Sequence, residues 1–106
     1  MKIAPDIEQY VRRNFKETEA AGALRVLEGA ALPDGRSPDN GMLRCALSAS
    51  DNSLKSLEHY VAGLGIDYRD VILAAEYTQE NGEYIRIRDL SKPVEVDAVY
   101  LAGPGR

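Results

Sequence analysis

Between Leu43 and Tyr77 the chain reads LRCALSASDNSLKSLEHYVAGLGIDYRDVILAAEY, the stretch that most restricts what it can fold into. It carries most of the apolar periodicity and the clearest start and stop signals. Leu43, Cys45 and Leu47 alternate with Arg44, Ala46 and Ser48, the period of a half-buried strand. Ser50-Asp51-Asn52-Ser53 follows, a cluster of short polar side chains that cap helices by accepting backbone N–H bonds. Leu54, Leu57, Val61 and Leu64 then fall on one helical stripe, leaving Lys55, Ser56, Glu58 and His59 on the wet side. Gly65 suits the left-handed residue that ends a helix, with Ile66 folding back on Val61.

Two readings stay open from Asp67 to Thr78. As a helix, Asp67 is the N-cap, Asp70 stands at N3 and Ile66 meets Val71 as a hydrophobic staple. Tyr68, Val71, Ile72 and Ala75 then share a face. As a strand, Leu73, Ala75 and Tyr77 alternate inward and the chain turns at Glu80-Asn81-Gly82. Ala74, Ala75 and Glu76 are better helix formers than strand residues, and together with the caps they favour the helix.

The N-terminal part is helical by the same criteria. Pro5 suits a first turn and Asp6 the positive end of the helix dipole. Ile7, Tyr10, Val11 and Phe15 form one stripe; Ala20, Leu24, Leu27 and Ala31 form another on a different face. A straight helix cannot aim both at one core, so a break is expected near Lys16–Glu19 with Thr18 as the new cap; one long helix over 6–31 is the alternative. Residues 33–41 are dense in turn formers and predict an exposed loop. Tyr84–Asp89 and Val94–Val99 both alternate. Joined through Leu90–Pro93 they predict an antiparallel hairpin pairing Arg88 with Glu95 and Arg86 with Asp97, with Ile85 and Ile87 inward. Residues 102–106 predict a frayed tail.

These elements describe one α+β domain spanning residues 1–106: N-terminal helices, a strand, a tight helix-turn-helix corner and a C-terminal hairpin. Apolar residues make up 44% of the 106, enough for a core that hides roughly two-thirds of the unfolded surface. With 13 Lys and Arg against 17 Asp and Glu the net charge is −4, which disfavours nucleic acid and acidic membranes as partners. A single cysteine rules out an intramolecular disulfide, and no run approaches the ~20 apolar residues of a membrane span. A soluble, cytoplasmic protein is expected.

Little in the chain suggests chemistry. Cys45, between Leu43 and Leu47, reads as a packed core thiol rather than a nucleophile. His59 is the single histidine and falls on a polar face. Asp67, Asp70 and Glu76 read as a cap, a dipole partner and an exposed glutamate rather than as metal ligands or an acid–base pair. The turn from Ser48 to Ser53 lacks a glycine-rich anion cradle. The corner at Gly65-Ile66 has helix-turn-helix spacing, but its second helix carries Asp70 and Glu76 with only Arg69 basic, a poor reader of phosphates.

RCALS, DYRDVILAAEY and RIRDLSKP, spread from about Leu43 to Pro93, resemble a family of short uncharacterised bacterial proteins. The resemblance implies that DYRD and AEY matter, and it brings no activity or ligand. A small non-catalytic interaction or regulatory protein is expected, needing no cofactor or metal. Its partner would be a protein, a second copy of the chain included, met through Tyr68, Arg69, Glu76, Tyr77 and Arg88. The rival is a small-molecule binder or enzyme that gathers Tyr68, Arg69, Asp70 and Glu76 around a cleft.

Overall fold

The computed structural model describes residues 3–87, 89 and 90. Its first helix, α1 (Pro5–Asn14), starts on Pro5 and buries Ile7 and Val11, with Phe15 closing the stripe just beyond it. The chain then runs extended through Phe15 and Lys16 before α2 (Glu17–Glu28) begins. The expected break is there, but Thr18 does not cap it. Lys16 is the N-cap residue without a side-chain bond, and its carbonyl accepts from Glu19 and Ala20. Glu17 and Glu19 in the first turn offset the positive helix end. The break lets α2 turn a second face, Ala20, Ala23 and Leu27, to the core that α1 already fills.

The strand expected at Leu43–Ser48 is instead the middle of a helix, α3 (Asn40–Ala49). Asp39 caps it, its Oδ1 accepting the Met42 N–H at 2.8 Å. Leu43, Arg44, Cys45, Ala46 and Leu47 are all buried. A helix enclosed on all sides has no wet face, so the apparent two-residue alternation carried no information about its period. Leucine, alanine, methionine and arginine, all good helix formers, then decide the conformation. The expected loop is correspondingly shorter than 33–41, because Asn40 and Gly41 form the first turn of α3. Pro38 within it is buried.

The Ser50–Ser53 link therefore joins two helices and not a strand to a helix. Asp51 and Asn52 take left-handed φ values of 53° and 62°, which short polar side chains tolerate, and reverse the chain within four residues. Ser53 caps α4 (Leu54–Glu76), accepting from the Ser56 N–H at 3.3 Å. Leu57, Val61 and Leu64 are buried along it as the stripe predicts.

The corner in α4 falls at Asp67, whose φ of −152° and ψ of 99° interrupt the helix. Gly65, expected to end the first segment in the left-handed region, is helical and has no positive φ. It serves close approach instead: a Cβ there would stand 3.2 Å from the Ala31 carbonyl oxygen. Ile66, expected to fold back on Val61 or staple to Val71, remains 80% exposed.

Both readings of 67–78 hold in part. The helix runs to Glu76, and β1 (Tyr77–Glu80) follows at once. It pairs antiparallel with β2 (Glu83–Arg86), Tyr77 opposite Arg86 and Glu80 opposite Glu83. Asn81 and Gly82, with φ of 53° and 81°, make the two-residue turn that Asn-Gly favours. Tyr84 and Ile85 thus pair with Gln79 and Thr78. The expected ladder to 94–99, including the pairs of Arg86 with Asp97 and Arg88 with Glu95, lies outside the described residues, as does the tail at 102–106.

The described residues form an α+β arrangement of four helices and one two-stranded antiparallel sheet. α3 lies against α4, which also meets α2, and α2 meets α1. Among these residues no helix is long and apolar enough to cross a membrane.

Candidate functional site

Tyr68 and Arg69 open the second segment of α4, while Glu76 and Tyr77 close it, roughly 12 Å further along the axis at 1.5 Å per residue. The residues expected to share one surface are therefore split between two places. Arg88 lies outside the described residues. Each place is built around a carboxylate.

At the far end stands Glu76, expected on the wet side but only 5% exposed. It is buried because its acceptors are used. Oε2 takes the Leu90 backbone N–H at 2.7 Å, and Oε1 takes Arg86 Nη2 at 3.0 Å. Arg86 reaches Asp89 at 3.1 Å as well. The adjacent Glu76 carboxylate is the main influence holding the Arg86 guanidinium above its usual pKa.

On the other side of Leu90, its carbonyl accepts from Arg44 Nη1 at 3.4 Å. Arg44 is itself 6% exposed and bonds Asp6 through two nearly parallel contacts, Nε to Oδ2 at 3.0 Å and Nη2 to Oδ1 at 3.1 Å. Two buried charges thus hold both backbone polar groups of one residue, whose side chain is 1% exposed in the core. This clamp fixes the chain after β2 against α3 and α4. Neither Arg44 nor Asp6 stood out as a site residue in the sequence. The available signal was a lone charge inside the apolar run MLRCALSA, which demands a buried partner once that run is enclosed.

Beside the clamp, a cleft of about 200 Å³ is lined by Met42, Cys45, Ile72, Glu76 and Arg86 among others. Burial, with smaller contributions from Glu76 and Asp39, pushes the Cys45 thiol up to about 12. The sulfur is therefore a neutral core group at ordinary pH, as its apolar neighbours in the sequence suggested.

The near end is the break in α4. Asp67 caps the second segment, its Oδ1 accepting the Arg69 backbone N–H at 3.1 Å. The Arg69 guanidinium turns back onto the same carboxylate, at 3.1 Å from Nε and 3.4 Å from Nη2. That side-chain bond, followed by the backbone one, lowers the Asp67 pKa. The expected cap is present, but the pair is open to water.

Beyond it the interrupted helix leaves a groove of about 270 Å³. Tyr60, Ala62, Gly63, Ile66 and Val71 supply its apolar lining, and His59, Asp67 and Asp70 its polar part. A Cβ on Gly63 would come within 3.1 Å of Val71 Cγ2, so the missing side chain keeps that contact open. His59, exposed as expected, stands edge-on to Tyr60 with ring centres 5.1 Å apart. Tyr68 is 37% exposed.

Of the four residues of the rival reading, Asp70 lines the groove at the break and Glu76 lines the cleft beside Cys45. Among the described residues no group of three or more His, Cys, Asp and Glu is placed to hold a metal ion. Comparison of the chain with protein-family models, curated proteins and solved structures finds no match.

Proposed function

We propose that this chain is a small, non-catalytic interaction module that meets a protein partner at the break in α4. The observation that carries the reading is Ile66: an isoleucine 80% exposed, beside an apolar groove, at an interruption in the longest helix. A single exposed apolar residue is ordinary, but one that adjoins a concave apolar surface resembles a docking position. Tyr68 and Arg69 are exposed directly after the break, outside the groove lining itself; Glu76, with its acceptors engaged internally, supports the fold instead. Tyr77 is half-buried at the start of β1. A cytoplasmic setting and kinship with the short bacterial proteins are part of the same proposal, the former supported by a sequence whose single cysteine is buried rather than used in a cross-link.

Affinity capture from the source cell with the wild-type chain and with Ile66→Ser and Arg69→Ala tests the reading. Both substitutions are at exposed positions and should leave folding intact, while the captured protein should be lost with Ile66→Ser and changed in amount with Arg69→Ala, which removes a cation from the break and frees Asp67. Equal capture by all three chains would remove the α4 break as the binding surface.

A further inference from the structure

Building on that reading, we infer that the groove at the break of α4 takes a peptide segment that presents one bulky apolar side chain next to a lysine or arginine. The lining is mostly apolar, through Tyr60, Ala62, Gly63, Ile66 and Val71, and asks for an apolar occupant. At about 270 Å³ and open to solvent, it has room for a bulky side chain with its flanking backbone.

Charge selects the rest. Asp67 is already engaged by the Arg69 guanidinium. Asp70, also in the lining, is exposed and makes no salt bridge among the described residues. Asp67 is the main influence holding the Arg69 guanidinium above its usual pKa, and the Asp70 charge adds only the last and smallest part. Asp70 is the charge left to attract a cation. The whole chain, at −4, steers a basic segment toward the groove and repels a second copy of itself.

The test is selection from a random octapeptide library on the full-length chain, followed by fluorescence-anisotropy titration of the enriched peptides. Enriched sequences should carry a bulky apolar residue with Lys or Arg within three positions. Ile66→Ser should weaken their binding by about tenfold or more, the scale of losing one apolar contact surface. Asp70→Asn should weaken it by about three- to fivefold and flatten its salt dependence, as removal of one exposed charge pair does. Circular dichroism of each variant confirms that it is folded.

Enrichment of apolar peptides without a base, or unchanged affinity in Asp70→Asn, would overturn the cationic occupant while leaving the interaction surface in place. A dimer in sedimentation that Ile66→Ser dissociates would likewise overturn it, in favour of a second copy. Absence of any enrichment, together with native capture by the Ile66→Ser chain, would end both this assignment and the interaction surface.

Discussion

Asp67 and Glu76 stand at opposite ends of the same short helical segment, and their bonding inventories are nearly identical. Each carboxylate accepts one backbone N–H and one arginine side chain. Their consequences are opposite. Asp67 bonds residues two positions away at the surface, where water competes for every contact and the loop closed is trivial. Glu76 is buried and takes its N–H from Leu90, fourteen positions on, so its bonds tie a remote part of the chain to the core. The contact type says little about importance; burial and sequence separation decide it.

The comparison can be broken by substitution. The largest effect is expected from Glu76→Ala, which leaves the buried Leu90 N–H without an acceptor. That should cost about 2–3 kcal/mol in urea unfolding, with most of the loss recovered in Glu76→Gln, whose amide oxygen can still accept. The Arg86 contact adds little to the loss, since Arg86 is half-exposed and retains Asp89. A neutral Glu76→Ala would mean that Leu90 is held by its side chain and the Arg44 contact without help from the carboxylate.

An effect confined to alkaline pH, and absent at neutral pH, concerns Cys45, which lines the same cleft as Glu76. The folded thiol is raised to about 12 from an ordinary value of 9.0, so above pH 9 the unfolded chain releases a proton that the folded chain keeps. Its contribution to stability is complete below pH 9 and falls as the pH rises toward 12. Wild type should therefore lose stability over that window more steeply than Cys45→Ala, measured by denaturant unfolding at successive pH values. Parallel curves would mean that the thiol is accessible to water. The smallest effect belongs to the Asp67 end: Arg69→Ala should leave the urea midpoint where it is in wild type, because both partners are open to solvent.

What the sequence revealed depended on whether an element had a wet face. α1 and the first segment of α4 have one, and their stripes, Ile7-Val11-Phe15 and Leu57-Val61-Leu64, were legible from spacing alone. α3 has none over Leu43–Leu47, and any period could be drawn through it. Local chemistry was also readable. Asp67 as a cap, Ser53 in its capping cluster and Asn81-Gly82 as a turn each act within three or four residues.

The clamp was not readable, because its parts are Asp6, Arg44, Glu76 and Leu90, brought together only by the tertiary fold. Glu76 was misplaced for the same reason: nothing near it in sequence announces a buried donor at Leu90. The candidate surface was half legible. Arg69 is exposed, off the apolar stripe. Tyr68, which the pattern aligns with buried Val71 and Ala75, is exposed too, and the exposure of Ile66 accompanies a break at Asp67, two residues beyond the glycine that was expected to supply it.

Native-state hydrogen exchange compares the two ends in one experiment. The Leu90 amide, donated to a buried carboxylate at 2.7 Å, should exchange only through large-scale opening, with protection close to that of the core helices. The Arg69 amide, held by the exposed Asp67 side chain at 3.1 Å, should exchange near the rate of an unprotected residue. A Leu90 amide that exchanges as fast as Arg69 would contradict the clamp, and with it the division of α4 into an anchored end and a free one.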